Sequence, residues 1–164
     1  MSFFKIIKKD FKTNKNFISR LFLLIVRLER VKVISKIIFP LRLVIINFIF
    51  NSEIPKSVVL GSGIRVPHPY NIIMHGNSNI GNNATIYQGV TLGSNEFLGN
   101  NSAPKICDYV VVGANSVIIG PITIGRNSII SACSLVSKDI NENTFFKKKE
   151  YDNNIDVVKY LESR

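Results

Sequence analysis

The chain has 164 residues, two of them cysteine, and carries 21 Lys and Arg against 11 Asp and Glu for a net charge of +10. That length can bury one core without disulfides or metals, and Cys107 and Cys133 form no CxxC spacing, which argues against a disulfide framework or a zinc knuckle and favours a cytoplasmic setting. The charge would suit nucleic acid or an anionic membrane, yet it is local: residues 1–56 hold twelve Lys and Arg against Asp10, Glu29 and Glu53, whereas the rest of the chain is nearly balanced.

Residues 1–52 are expected to form an N-terminal helical arm. Apolar residues recur there at three and four, as in Phe4, Ile7 and Phe11, then Phe17, Leu21, Leu24 and Leu28, then Val31, Ile34 and Ile38. Two or three short amphipathic helices result, with Pro40 ending or kinking one of them because it lacks an amide hydrogen. Arg27, Glu29, Arg30, Lys32, Lys36 and Arg42 interrupt every apolar run before it reaches the roughly 18 residues of a membrane span. Charges scattered through "MSFFKIIKKDFKTNKN" likewise give no signal peptide. The arm is expected to pack on the main domain or a neighbouring subunit; peripheral contact with the inner face of a membrane is the alternative. No recognised motif supports nucleic-acid binding.

From Ile54 the period changes to six. Aliphatic residues fall at Ile54, Leu60 and Val66; at Met74, Ile80, Ile86 and Leu92; and at Ile106, Val112, Ile118, Ile124, Ile130 and Val136. Glycine often follows, as at Gly61, Gly81, Gly93, Gly113 and Gly125, and the fifth position is small or β-branched. A six-residue unit is one short strand plus one turn, so three units close a triangular coil, and four to five coils stack at about the 4.8 Å spacing of neighbouring strands. Glycine at the corner permits geometry that a Cβ would oppose. This coil is expected over residues 53–141, followed by a tail over 142–164 that is helical in part.

The phase breaks twice. Two extra residues lie in "VPHPYNIIM" and a longer excursion in "GSNEFLGNNSAPK", and inserted loops on repeat scaffolds commonly carry sites. His68 stands in the first break between Pro67 and Pro69, and a neutral imidazole is a natural base for a hydroxyl near neutral pH. His75 follows a core Met and is assigned a structural role. With only these two histidines, a three-histidine zinc site is not expected, and both cysteines fall in core-patterned coils where a thiol packs rather than reacts.

The run "GSGIRVPHPYNIIMHGNSNIGNNATIYQGVTLG" followed by "PKICDYVVVGANSVIIGPITIGRNSIISACSLVSKDI" resembles the serine acetyltransferase-like branch of the hexapeptide-repeat acyltransferases over Glu53 to about Ile140. The resemblance implies a mainly β fold, a left-handed parallel β-helix behind an α-helical arm, assembled as a homotrimer with sites between subunits. It implies acetyl-CoA as donor and no metal, His68 as base, and Glu53, fifteen residues earlier, as the carboxylate beside it. Gly93, Lys105, Ala114, Ala132, Ser137 and Lys138 are the implied cofactor-binding residues, with Lys138 suited to the phosphates of CoA.

Three departures from the branch stand out. Ala103 occupies the place of a second histidine before "PKI". Pro67 stands where serine-specific enzymes carry Asp, and "PYN" replaces "ATG". "FFKKKEYDN" replaces the usual "GxPA" ending. The expected function is therefore O-acetyl transfer to a sugar hydroxyl of a surface polysaccharide or its precursor. Serine O-acetylation in cysteine biosynthesis is the alternative, and a non-catalytic trimeric scaffold or glycan-binding module is the reading of another class.

Overall fold

The computed structural model describes residues 2–95 and 103–147. Three α-helices open the chain, α1 (Phe3–Thr13), α2 (Phe17–Leu28) and α3 (Lys32–Arg42), and α3 continues into a π-helical stretch over Leu43–Ile49. Asn16 caps α2 by accepting from the Ser19 N–H at 2.6 Å. Pro40 lies inside α3, and the chain winds on past it as a wider π turn rather than ending there.

Twelve two- or three-residue strands follow: β1 (Val59–Leu60), β2 (Ile73–Met74), β3 (Asn79–Ile80), β4 (Thr85–Ile86), β5 (Thr91–Gly93), β6 (Lys105–Ile106), β7 (Val111–Val112), β8 (Val117–Ile119), β9 (Thr123–Ile124), β10 (Ile129–Ile130), β11 (Leu135–Val136) and β12 (Phe145–Phe146). All pairings are parallel, and the strands fall into three four-stranded faces. The first face runs β2-β5-β8-β11, the second β1-β3-β6-β9, and the third β4-β7-β10-β12. Successive strands step from face to face, which makes a left-handed parallel β-helix of triangular section. Bridges from Glu53 to Ile73, Arg65 to Thr85 and Ile124 to Ile140 complete the first and last coils.

The sixfold aliphatics fill the prism. Ile86, Leu92, Val112, Ile118, Ile124 and Ile130 are all fully shielded, and only Leu60 of the thirteen is partly open. Ser78, Ser116, Ser128 and Ser134 take the small fifth position beside them, also buried. Glycine works differently from the expectation. Gly61, Gly81, Gly113 and Gly125 have no left-handed φ; a Cβ on Gly81 would lie 2.6 Å from the Asp108 nitrogen of the next coil, and one on Gly113 2.5 Å from the Ala132 nitrogen. They are needed because backbones of adjacent coils touch there. The left-handed turns are made mainly by asparagine: Asn71, Asn83, Asn115, Asn127 and Asn143 all have φ of 55–57°. Asn127 donates to the side-chain oxygen of Asn143 at 2.8 Å, one coil above.

Pairing also extends past residue 141. Ile129 and Ile130 pair with Phe145 and Phe146, so the coil runs on into the segment expected as tail. The cause is a two-residue shortening between Val136 and Ile140, which breaks the sixfold phase but keeps the ladder. A helical tail would lie in residues 148–164, outside the described residues.

The first coil has no strand beneath it, and its inner main-chain groups are met by side chains of the arm. Asp10 accepts from the Ile64 N–H at 3.0 Å. The Asn14 amide donates to the Ile64 carbonyl at 2.7 Å and accepts from the Val66 N–H at 2.9 Å, imitating a neighbouring strand. Ser19 donates to the Val66 carbonyl, Arg27 to the carbonyls of Leu60 and Gly61, and Arg30 to those of Pro55 and Val58. Arg27 also forms a two-point pair with the fully buried Asp10, at 2.9 and 3.4 Å. Arg42 pairs with Glu29 at 2.9 Å. Thus α1 and α2 pack on the coil, whereas Val33, Ile37, Leu41, Val44 and Phe48 line an outer face of α3 and the π turn, and Val33, Ile37 and Phe48 are about 80 % exposed. No helix among the described residues is long and apolar enough to cross a membrane.

Asp10→Ala strands the Arg27 guanidinium and an N–H of the first coil, so urea unfolding at fixed protein concentration should show a loss of about 3–5 kcal/mol. Asn14→Ala should lose about 1–3 kcal/mol for each coil group left unsatisfied, whereas Lys8→Ala, on the exposed side of α1, should change stability by no more than about 0.5 kcal/mol.

Candidate active site

The two extra residues of the first phase break lengthen one coil locally. Glu53 pairs with Ile73, twenty residues on, whereas Ile73 pairs with Thr91 after the regular eighteen. The surplus bulges at the corner between the third and first faces, where Pro67, His68 and Pro69 turn the chain. His68 is exposed; its carbonyl accepts from the Tyr70 N–H at 2.9 Å, and Asn71 rejoins the ladder by donating to Phe50. The ring of Tyr70 rests against Phe50 at 5.3 Å, which itself packs on Phe22 of α2 at 5.2 Å. The imidazole therefore stands on a corner braced by the arm.

Ala114 and Ala132 lie on this same edge. Gly89 donates to the Tyr70 carbonyl, Asn115 to that of Gln88 and Cys133 to that of Ala114, so Tyr70, Gln88, Ala114 and Ala132 form one vertical column next to His68. Gly93, Ser137 and Lys138 lie on the next edge, between the first and second faces, above His75. The first face, whose outward residues are Glu53, Ile73, Thr91, Val117 and Leu135, is the wall between the two edges. A groove of about 370 Å³ crosses it, lined by Glu53, Pro55, Ile73, His75, Thr91 and Gly93 among others. A smaller hollow of about 140 Å³ holds Ser137 and Lys138 with Phe146. Lys105 points outward from the second face and lines neither.

Glu53 and His68 are neighbours by coil but not partners: Glu53 sits beneath Ile73, and no hydrogen bond or ion pair joins it to His68 among the described residues. His75 turns inward on its own loop, its Nδ1 accepting from the Asn77 N–H at 3.3 Å. Among the described residues no group of three or more His, Cys, Asp or Glu is placed to hold a metal ion. Ala103 begins the chain's return from the long excursion, most of which, residues 96–102, lies outside the described residues, as does the "KKEYDN" part of the altered ending.

The cysteines divide. Cys107 packs partly against the core, but Cys133 is exposed and occupies the left-handed turn position next to Ala132, with φ of 57°. The expectation of core packing thus fails for Cys133. Three residues after the inward Ile130, the sixfold phase instead puts it on a corner. The sequence pattern also gives no sign of Gln88, whose Oε1 is buried without a hydrogen-bond partner. Counting back one coil from Ala114, with the excursion included, places it on the His68 edge.

Fold, register and corner composition define the class: a hexapeptide-repeat β-helix. Residues 103–138 match the family described as bacterial transferase hexapeptide, six repeats. Within that class the chain is serine acetyltransferase-like. It is 33 % identical over 88 residues to the serine acetyltransferase of Mycobacterium tuberculosis, covering 54 % of this chain and 38 % of that protein. The crystal structure of the Neisseria gonorrhoeae serine acetyltransferase in complex with serine superposes with a TM-score of 0.73 at 25 % identity, over 90 % of this chain and 67 % of that one. That of the Brucella abortus enzyme in complex with coenzyme A gives 0.74 at 22 % identity, over 88 % and 66 %. The chain thus spans well under half the length of the curated relative it matches.

Native-state labelling with a maleimide, followed by mass spectrometry, should modify Cys133 well before Cys107, because the former is exposed and the latter packs partly against the core.

Proposed function

We propose that the protein transfers acetyl from acetyl-CoA to a hydroxyl, with His68 as general base. The supporting observation is the exposed imidazole on the edge that also carries Ala114 and Ala132, beside the grooved first face, in a serine acetyltransferase-like β-helix. His68 takes the acceptor's proton as its oxygen attacks the thioester carbonyl; the tetrahedral intermediate then expels the CoA sulfur, which leaves with that proton as the free thiol. Ala114 and Ala132 would line the pantetheine path along the edge, with Ser137, Lys138 and Gly93 toward the nucleotide, whereas Lys105, on the second face, stands apart from both hollows. Glu53, on the coil below, is the carboxylate proposed to act with His68, although the two are not bonded to each other here.

For the acceptor, the named relatives favour L-serine over the sugar hydroxyl expected from sequence. A second reading keeps the sugar, for one reason: Pro67 is neutral where serine-specific enzymes carry an acid, and Ala103 stands where family members carry a second histidine, so groups suited to a zwitterion are missing. A homotrimer completes the proposal, since Ile73, Leu135, Val59 and Ile129 leave apolar surface on the three faces at 45–65 % exposure. Peripheral contact of the arm with an anionic membrane surface belongs to it as well. Both acids of α1–α3, Asp10 and Glu29, are buried in ion pairs, so beside the exposed apolar row of α3 only Lys32 and Lys36 present charge.

Thiol release from acetyl-CoA, followed with L-serine and with nucleotide-linked or lipid-linked sugars in turn, tests the reaction and separates the two acceptors. His68→Ala should lower the rate about 10²- to 10⁴-fold, and wild-type turnover in that variant removes His68 from the mechanism. No acetyl-CoA binding at millimolar concentration would leave the scaffold reading. Separately, co-sedimentation with phosphatidylglycerol vesicles but not phosphatidylcholine vesicles, lost in Ile37→Glu, is the outcome expected for the arm.

A further inference from the structure

A second groove, of about 490 Å³, opens between α3 and the start of the first coil. One wall is Ser35, Lys36, Phe39 and Arg42; the other is Glu53, Pro55 and Lys56. Glu53 and Pro55 also line the groove on the first face, so the two hollows adjoin along these residues.

The charge in this groove is uneven. Glu29 is used by Arg42, which is further fixed by Asn47 at 2.7 Å and the Ile54 carbonyl at 3.4 Å. Behind Pro55, Arg30 is a buried guanidinium with no carboxylate of its own. Burial, then Arg27, lowers its pKa to about 10, so it stays charged at neutral pH. Lys36 and Lys56 are exposed and carry no hydrogen bond or ion pair among the described residues. Phe39, half exposed, offers a ring face beside them, opposite Pro55.

We propose that this groove is an acceptor subsite for a glycosyl phosphate, with the phosphate between Lys36 and Lys56, the sugar ring against Phe39 and Pro55, and ring hydroxyls donating to Glu53. Two lysines from opposite walls, over a floor where Arg42 and Glu29 neutralise each other, match a doubly charged group better than a single carboxylate. An apolar ring face with one carboxylate acceptor suits a pyranose, which has an apolar face and donor hydroxyls at its edge. The subsite rests on the sugar reading of the acceptor, and it accounts for how specificity survives the neutral residues around His68: recognition moves from the hydroxyl's neighbourhood to the far end of the molecule.

Calorimetric titration of the full chain with glucose 1-phosphate, inorganic phosphate, glucose, L-serine and acetyl-CoA tests it. Glucose 1-phosphate should bind, and inorganic phosphate more weakly. Lys36→Gln with Lys56→Gln should weaken glucose 1-phosphate about 100-fold, roughly tenfold per charged contact, while acetyl-CoA binding stays unchanged and reports that the fold is intact. Equal affinity in the double variant, or no glucose 1-phosphate binding at 10 mM (on the order of the weakest useful affinity), overturns the subsite. So does L-serine binding that falls with the two lysines, because the groove would then serve an amino-acid carboxylate. The two readings fail separately: serine acetylated without glucose 1-phosphate binding sinks the subsite alone, and lysine-dependent glucose 1-phosphate binding without acetyl-CoA binding sinks acetyl transfer alone.

Discussion

A parallel coil is stable only where each turn of main chain finds another turn to bond to, and its first turn has none below it. This protein meets that constraint with side chains. Asn14 presents an amide in the place of a missing strand, and Asp10, Ser19, Arg27 and Arg30 take the remaining donors and acceptors of Leu60, Gly61, Ile64 and Val66 and their neighbours. Unsatisfied main-chain groups in such a place are costly and also template aggregation. The arm is therefore part of the coil's hydrogen-bonding system, and its buried charges exist because the groups they meet are polar.

The same arm braces the corner that bears His68. Phe22 of α2 holds Phe50, Phe50 holds Tyr70, and Tyr70 is two residues from His68, so the corner bearing the imidazole is tied to the cap through a run of aromatic contacts. Glu29 and Arg42 close the far side of the groove that leads to Glu53. Cap, corner and groove are built from one set of helices, which explains why a short chain can spend nearly a third of its length before the first coil.

Much of this is legible in the residues and some is not. The period of six carries the prism directly, because an aliphatic side chain every sixth position can only point inward if the chain turns at each corner; Ile80, Ile106 and Ile124 stack as that requires. Both phase breaks are visible as slips in that period. The role of glycine is not, since close approach and left-handed φ leave the same residue in a sequence, and only the geometry assigns the first to Gly81 and the second to Asn83 and its column. The coil's last turn escapes the pattern because it is two residues short. Nor does the pattern show any contact across fifty residues or across the arm: that Asp10 and Asn14 meet Ile64, or that Lys36 and Lys56 share a groove, depends on how helices dock.

The excursion between Gly93 and Lys105 has a further meaning. Thr91 pairs with Val117 and Lys105 with Asn79 in unbroken register, although the coil containing them is eight residues longer than its neighbours. Every ladder bond is blind to what is inserted there, and loop length itself costs little. The frame therefore keeps its register whatever length of chain joins Gly93 to Lys105, so the stability of the prism does not depend on that connection.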